Sequence, residues 1–201
     1  MTRISKNPEE RKDEIISTAR QLFIKKGFNE TKVSDIVKQI GVSQGVFYYY
    51  FSSKDEIIDA IVDNYINRLV SKASAIVEQD NLKPLEKLEK MADIQLVINH
   101  QENNNIHAIK GVDIHEKILT RLVLDYVPLM AKAFCPEPNN KLLYQFEIFV
   151  TAGNVLFDPG IFSWKEEEIN QRITTLLSIM EKSLNLQEGS LSFYKRLMGY
   201  R

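Results

Sequence analysis

The sequence predicts an all-α protein, with an N-terminal helix-turn-helix unit followed by a larger helical domain, about nine helices in total. Three observations carry this. Apolar residues recur at three- and four-residue spacing along most of the chain. Helix start and stop signals bracket most of those stripes. No pair of alternating apolar runs flanks a short Gly/Asn turn, as a β-hairpin would require.

The elements follow in order. Asn7, Pro8 and Glu10 supply an N-cap, a first-turn proline and a capping-box acid. Ile15, Ala19, Leu22 and Phe23 form one stripe, and Lys25 and Lys26 precede Gly27, so the first helix is expected over Pro8–Lys26. A second helix starts after Thr31 and carries Val33, Ile36, Val37 and Ile40 on one face. Gly41 stops it, and Ser43 is placed to cap a third, short and aromatic helix. Ser53 and Glu56 form a capping box that opens a long fourth helix through Ile57, Ile61, Tyr65, Leu69 and Ala73. Further helices are expected over 85–101, 114–134, 141–157 and 164–186, the last opened by a second capping box at Ser163 and Glu166. A short helix is expected over 106–110, and the tail 190–201 either docks as a helix or frays. The domain boundary is expected between 1–55 and 56–201.

Composition narrows the function. The chain has 201 residues, 44% apolar and 26% charged, with a formal net charge of −1. Its pI is about 6.3. It is therefore no polycation, and any nucleic-acid surface must be local. Up to Lys54, ten basic residues face six acidic ones, a local excess of about four positive charges. The lone Cys135 cannot form an internal disulfide, which fits a reducing cytoplasm. The N-terminus lacks the apolar core of a signal peptide, and no run is long enough to span a bilayer. A cytoplasmic protein without a membrane partner is expected.

The second helix, the turn at Gly41, Val42 and Ser43, and the third helix make a helix-turn-helix. Gly41 tolerates the positive φ that the turn needs, and Val42 can plug the gap between the helices. Three consecutive tyrosines cannot all be buried on one short helix. Phe47 and Phe51, four apart, face inward, so Tyr48 and Tyr49 project outward, where a hydroxyl can reach a phosphate.

Over residues 10–61 the sequence resembles the TetR family of transcriptional regulators. The resemblance is carried by Ala19, Phe23, Gly27, Phe28, Thr31 and Ile36, by the run from Gly41 to Phe51, and by Ser53, Lys54, Asp55 and Glu56. It implies that Gln44, Gly45 and Val46 approach the bases, that Ser43 belongs to the same DNA-binding set, and that Tyr48, Tyr49 and Lys54 hold phosphates. Thr31, Lys32 and Ser34 would flank the groove. Two positions depart from the family: Val46 stands where a hydroxyl residue is common, and Lys32 where threonine is common. The resemblance also implies a repressor that binds a palindromic operator in double-stranded DNA as a homodimer and is released by a small-molecule effector.

The expected dimer seam combines Tyr144, Ile148, Thr151 and Val155 with Ile169, Ile173, Leu176 and Met180. The first of these helices also carries an opposite apolar face, Leu142, Phe146, Phe149, Val150, Gly153 and Phe157. A helix apolar on nearly every side must be buried by something. Effector-binding residues are not identified: Met91, Ile94, Ile98, Leu119, Leu122, Tyr126, Phe146 and Phe149 suit a pocket and suit plain core better. His100 and His107 share a face but lie about 10 Å apart on a helix, too far to chelate one ion, and His115 follows a break at Gly111. No metal or cofactor is expected. No nucleophile–base pair, phosphate loop or zinc motif points to an enzyme.

Overall fold

The computed structural model describes residues 7–100, 106, 109–111, 114–158 and 161–198, with only the backbone of His100. Among the described residues all regular structure is helical. The helices are α1 (Pro8–Lys26), α2 (Val33–Ile40), α3 (Gln44–Tyr50), α4 (Lys54–Val77), α5 (Pro84–His100), α6 (Ile114–Arg121), α7 (Val127–Phe134), α8 (Asn140–Leu156), α9 (Glu166–Ser183) and α10 (Lys195–Met198). A π turn, Leu122–Tyr126, joins α6 to α7 into one rod.

Most boundaries follow from local chemistry. The Asn7 carboxamide accepts from the Glu10 amide at 2.8 Å while the Glu10 carboxylate accepts from the Asn7 amide at 3.4 Å, the expected reciprocal cap. The π turn has a cause in the sequence that the helical stripe alone does not reveal. Pro128 has no N–H to give Leu124, and its ring crowds that carbonyl. The chain widens just upstream, and Val127 donates to Leu122, five residues back. The capping box expected at Ser163 and Glu166 does not form. Lys165 is the N-cap residue, and its amide donates to Glu168 Oε2 at 2.9 Å, so α9 starts at Glu166. Trp164 is used otherwise: its indole N–H donates to Leu156 O at 2.9 Å, and the Arg172 guanidinium stacks on its ring at 3.7 Å. The helix expected over 106–110 and the Pro159–Gly160 corner fall partly or wholly outside the described residues, as do the side chains of His100 and His107.

Packing divides the chain into two units, Met1–Tyr65 with Asn99–Lys117, and Ile66–Ile98 with Ile118–Arg201. In the first, Ile15, Ala19 and Phe23 of α1, Ile36 of α2, Phe47 of α3 and Ile57 and Ile58 of α4 are wholly buried. Each buried Ile or Phe side chain among them contributes about 1.5–3 kcal/mol of transfer free energy. The second unit is built on Leu69, Leu88, Met91, Leu122, Phe146, Ile173 and Leu177. Met91, Ile98, Leu122, Tyr126, Phe146 and Phe149 are therefore buried core residues, and the Tyr126 hydroxyl donates to Met91 O at 3.2 Å.

The C-terminal segment docks on the second unit. The buried Glu181 carboxylate accepts from the Gly189 amide at 3.0 Å and the Leu191 amide at 2.7 Å. Arg196 bridges Glu89 and Asp93 of α5. Glu181→Ala would leave both amides without their acceptor. A loss of about 1–3 kcal/mol in unfolding free energy is expected, with early proteolytic cleavage near residue 189 as the companion readout.

Candidate nucleic-acid interface

The helix-turn-helix forms because α2 ends in a left-handed residue. Gly41 has φ 78° and ψ 35°, and the amides of Gly41 and Val42 both donate to Val37 O, at 2.9 and 3.0 Å. A Cβ at Gly41 would meet nothing within 4 Å, so the backbone angle and not space requires glycine there. Half-buried Val42 lies in the corner between the helices.

On α3 the side chains divide as their spacing demands. Phe47 and Phe51 are buried, whereas Tyr48 is 57% and Tyr49 78% exposed. The Tyr48 ring rests edge-on against Phe47, and Tyr49 against Tyr50. Gln44 and Gly45 are exposed and Val46 is half-buried. Ser43 occupies the N-cap position by its backbone angles, but its hydroxyl makes no capping hydrogen bond. The expected side-chain cap is absent, and the exposed hydroxyl is left to face outward. Lys32 and Ser34, at the start of α2, are also exposed. The Lys32 amide, with the Lys26 ammonium beside it, holds the Asp35 carboxyl below its ordinary value. That support for the start of α2 is present at neutral pH and is lost as acid protonates the lowered group.

Thr31, read as flanking the groove, is placed differently, and Lys54, read as holding a phosphate, also has partners within the chain. Thr31 is fully buried, and its hydroxyl donates to Gly27 O at 2.8 Å, within the turn between α1 and α2. It seals the end of α1 and does not present itself to a groove. Thr31→Val keeps the shape and removes that donor. Stability should fall by about 1 kcal/mol, measured by chemical denaturation, with the preferred duplex unchanged. Lys54 is half-buried, and its ammonium donates to Phe28 O and Thr31 O, both at 2.7 Å, above the Phe28 ring at 4.4 Å. Its capping neighbourhood is also one residue off the expected pattern. Ser53 Oγ accepts from the Glu56 amide at 3.2 Å, but the Glu56 carboxylate turns to the Ser52 amide and hydroxyl, which hold it below its ordinary pKa.

A second surface lies on α8 and α9. Tyr144, Ile148 and Thr151 are exposed, at 54% and 69% for Tyr144 and Ile148, and Val155, Ile169 and Leu176 are half-buried. Ile173 and Met180 instead point into the chain's own core, at 0% and 4% exposure, and cannot meet a second chain. They lie on the inner stripe of α9, with Leu177. The outer stripe continues from Leu176 to Ile179, which is 60% exposed. Ile179 was legible as three residues beyond Leu176, but the sequence offers both stripes at once. Gln145 Nε2 donates to Ser183 O at 2.6 Å, which ties α8 to the C-terminal end of α9.

Known proteins match this arrangement. A family model described as bacterial regulatory proteins, tetR family, matches residues 15–61, which covers α2, α3 and their flanks. An uncharacterised helix-turn-helix-type transcriptional regulator of Lactococcus lactis is 36% identical over 84 residues, 41% of this chain and 42% of that one. The helix-turn-helix-type transcriptional repressor KstR2 of Mycobacterium tuberculosis is 28% identical over 102 residues, half of each chain. The chain thus spans half or less of the length of these curated relatives. Similarity of fold extends further. A TetR/AcrR-family regulator from Thermobifida fusca superposes with a TM-score of 0.56 at 19% identity, over 88% of this chain and 97% of that one. A tetR-family regulator from Streptomyces coelicolor gives 0.60 at 17% identity, over 96% and 90%. With residues 15–61 matched in sequence and the helical architecture matched in fold, the helix-turn-helix part of this chain is similar to the tetR family of bacterial regulatory proteins, and the chain shares the fold of such regulators.

Proposed function

We propose that the protein is a sequence-specific, DNA-binding transcriptional repressor that acts as a homodimer on a two-fold operator. The observation that carries this is the exposed edge of α3 and the start of α2. Gln44, Gly45, Ser43 and Val46 offer one strong hydrogen-bonding side chain and close backbone approach, as base readout in a major groove needs. Tyr48, Tyr49, Lys32 and Ser34 flank them with hydroxyls and a cation suited to phosphates. Val46 suits a thymine methyl. KstR2, similar over half of its length, is a transcriptional repressor, which favours repression here.

The dimer is proposed on Tyr144, Ile148, Thr151, Val155, Ile169, Leu176 and Ile179. Two recognition helices address two half-sites, and linking them multiplies affinity. The second domain, 56–201, is proposed to hold the dimer and to bind a small effector that releases the DNA. No helix among the described residues is long and apolar enough to cross a membrane, and cytoplasmic action on DNA is the setting that this function needs.

Fluorescence anisotropy with labelled mixed-sequence duplex DNA tests the reading. Association should weaken by at least about tenfold between 50 and 200 mM salt, because bound phosphates release counterions. Absence of binding at the lower salt would contradict it.

A further inference from the structure

We propose that the basic cleft between α1 and α2 binds DNA phosphates beyond the base pairs that α3 reads, with Lys25 and Lys38 as its contact residues. This rests on the DNA-binding reading above and extends its footprint. The cleft has a volume of about 600 Å³ and is lined mainly by Gln21, Lys25 and Lys26 of α1 and by Asp35, Lys38 and Gln39 of α2. Three ammonium groups there face one carboxylate, and that carboxylate is already engaged. Asp35 Oδ2 accepts from Lys26 Nζ and from the Lys32 amide, each at 3.2 Å. Lys25 and Lys38 are exposed and have no acidic partner among the described residues. An anion entering the cleft meets two cations that hold nothing else, and it need break no bond within the chain.

The cleft continues the proposed DNA surface. Ser34 and Lys38 lie one turn apart on the same exposed face of α2, and Gln21 and Lys25 stand at the same spacing on α1. Asp35 ties the Lys26 ammonium to the Lys32 amide, so the positive strip runs from the start of α2 into the cleft. No residue of α3 lines it, so base edges are not its partner. Lysine ammonium groups are point charges suited to phosphate oxygens, and the Gln21 and Gln39 carboxamides add N–H donors for the same oxygens. Duplex backbone is the occupant that this arrangement fits. It presents a phosphate about every 3.4 Å along each strand, so a strip of cations laid along it meets one phosphate after another.

Two measurements test this. The first is ethylation interference on the duplex selected by the wild type, with the Lys25→Gln/Lys38→Gln double variant run beside it. Both side chains are exposed, so the variant should keep the fold. In the wild type, ethyl groups on phosphates next to, but outside, the base pairs fixed by selection should weaken binding. The variant should lose that interference and keep the same base preference. Its slope of log affinity against log salt should be shallower by about one unit per lysine removed. The same interference pattern in both proteins would overturn the proposal, as would a loss of interference confined to phosphates within the selected base pairs. Absence of binding by the wild type to any duplex would instead overturn the DNA-binding reading itself, and the cleft assignment with it. The second measurement needs no variant: trace acetylation of the wild-type lysines by acetic anhydride, read by mass spectrometry. Lys25 and Lys38 should be protected by a selected duplex extended by about one helical turn on each side, and should label as in the free chain when the duplex ends at the selected base pairs. Equal labelling with both duplexes overturns the proposal. Protection by inorganic tripolyphosphate but by neither duplex would make the cleft a site for a free phosphorylated molecule and overturn its assignment to DNA.

Discussion

Replacing Ile148 and Ile179 together by glutamate should convert a dimer into a folded monomer. Both side chains are largely exposed in the single chain, so the substitutions cost its own core nothing. In a two-fold seam each glutamate would meet its symmetry mate in a desolvated setting. Stranding an unpaired charge there costs several kcal/mol, and two sites per protomer double the effect. Sedimentation velocity should report a single-chain mass, and far-UV circular dichroism should be unchanged. Duplex affinity should fall by about 100-fold or more, because a monomer loses the linked second half-site. A persistent dimer would move the interface off the α8–α9 face.

Gln44→Ala should relax specificity at one base pair in each half-site. Gln44 is the one exposed carboxamide at the start of α3, and a carboxamide can pair with adenine through two hydrogen bonds. Losing it is expected to cost about 1–3 kcal/mol at that step, roughly ten- to a hundredfold in discrimination. Binding measured on a panel of single-base operator variants checks this. An unchanged profile would show that α3 reads the groove through other residues. Because Gln44 is exposed and its neighbour Phe47 anchors α3 in the core, the melting temperature should not change.

The N-terminal unit was legible because its signals are local. Asn7 with Glu10, Gly27, Gly41 and the inward pair Phe47 and Phe51 each act within one or two turns, and they give α1, α2 and α3 their limits. Where reading the sequence went astray, the deciding partner lay elsewhere. Thr31 and Lys54 are polar residues beside a binding surface, and only the folded turn shows the Thr31 hydroxyl donating to Gly27 O and the Lys54 ammonium donating to Phe28 O and Thr31 O. The Phe28 amide donates to Lys110 O, and nothing in the sequence links the two, since that bond joins backbone to backbone across 82 positions. The α9 stripe failed for another reason. With Ile173 and Met180 on one side and Leu176 and Ile179 on the other, both faces are apolar, and only the buried core decides which is inner. The π turn before Pro128 is a middle case, because the proline was visible but the widening it forces is a property of the rod.

In the proposed function α3 of two identical chains reads duplex DNA. Selection of bound duplexes from a random-sequence library by the full chain, followed by sequencing, tests it most directly. An enriched inverted repeat is expected, with half-sites centred about one helical turn apart, near 10 base pairs, or a multiple of it. Failure to enrich any sequence, or enrichment of a lone half-site without its inverted partner, would contradict it.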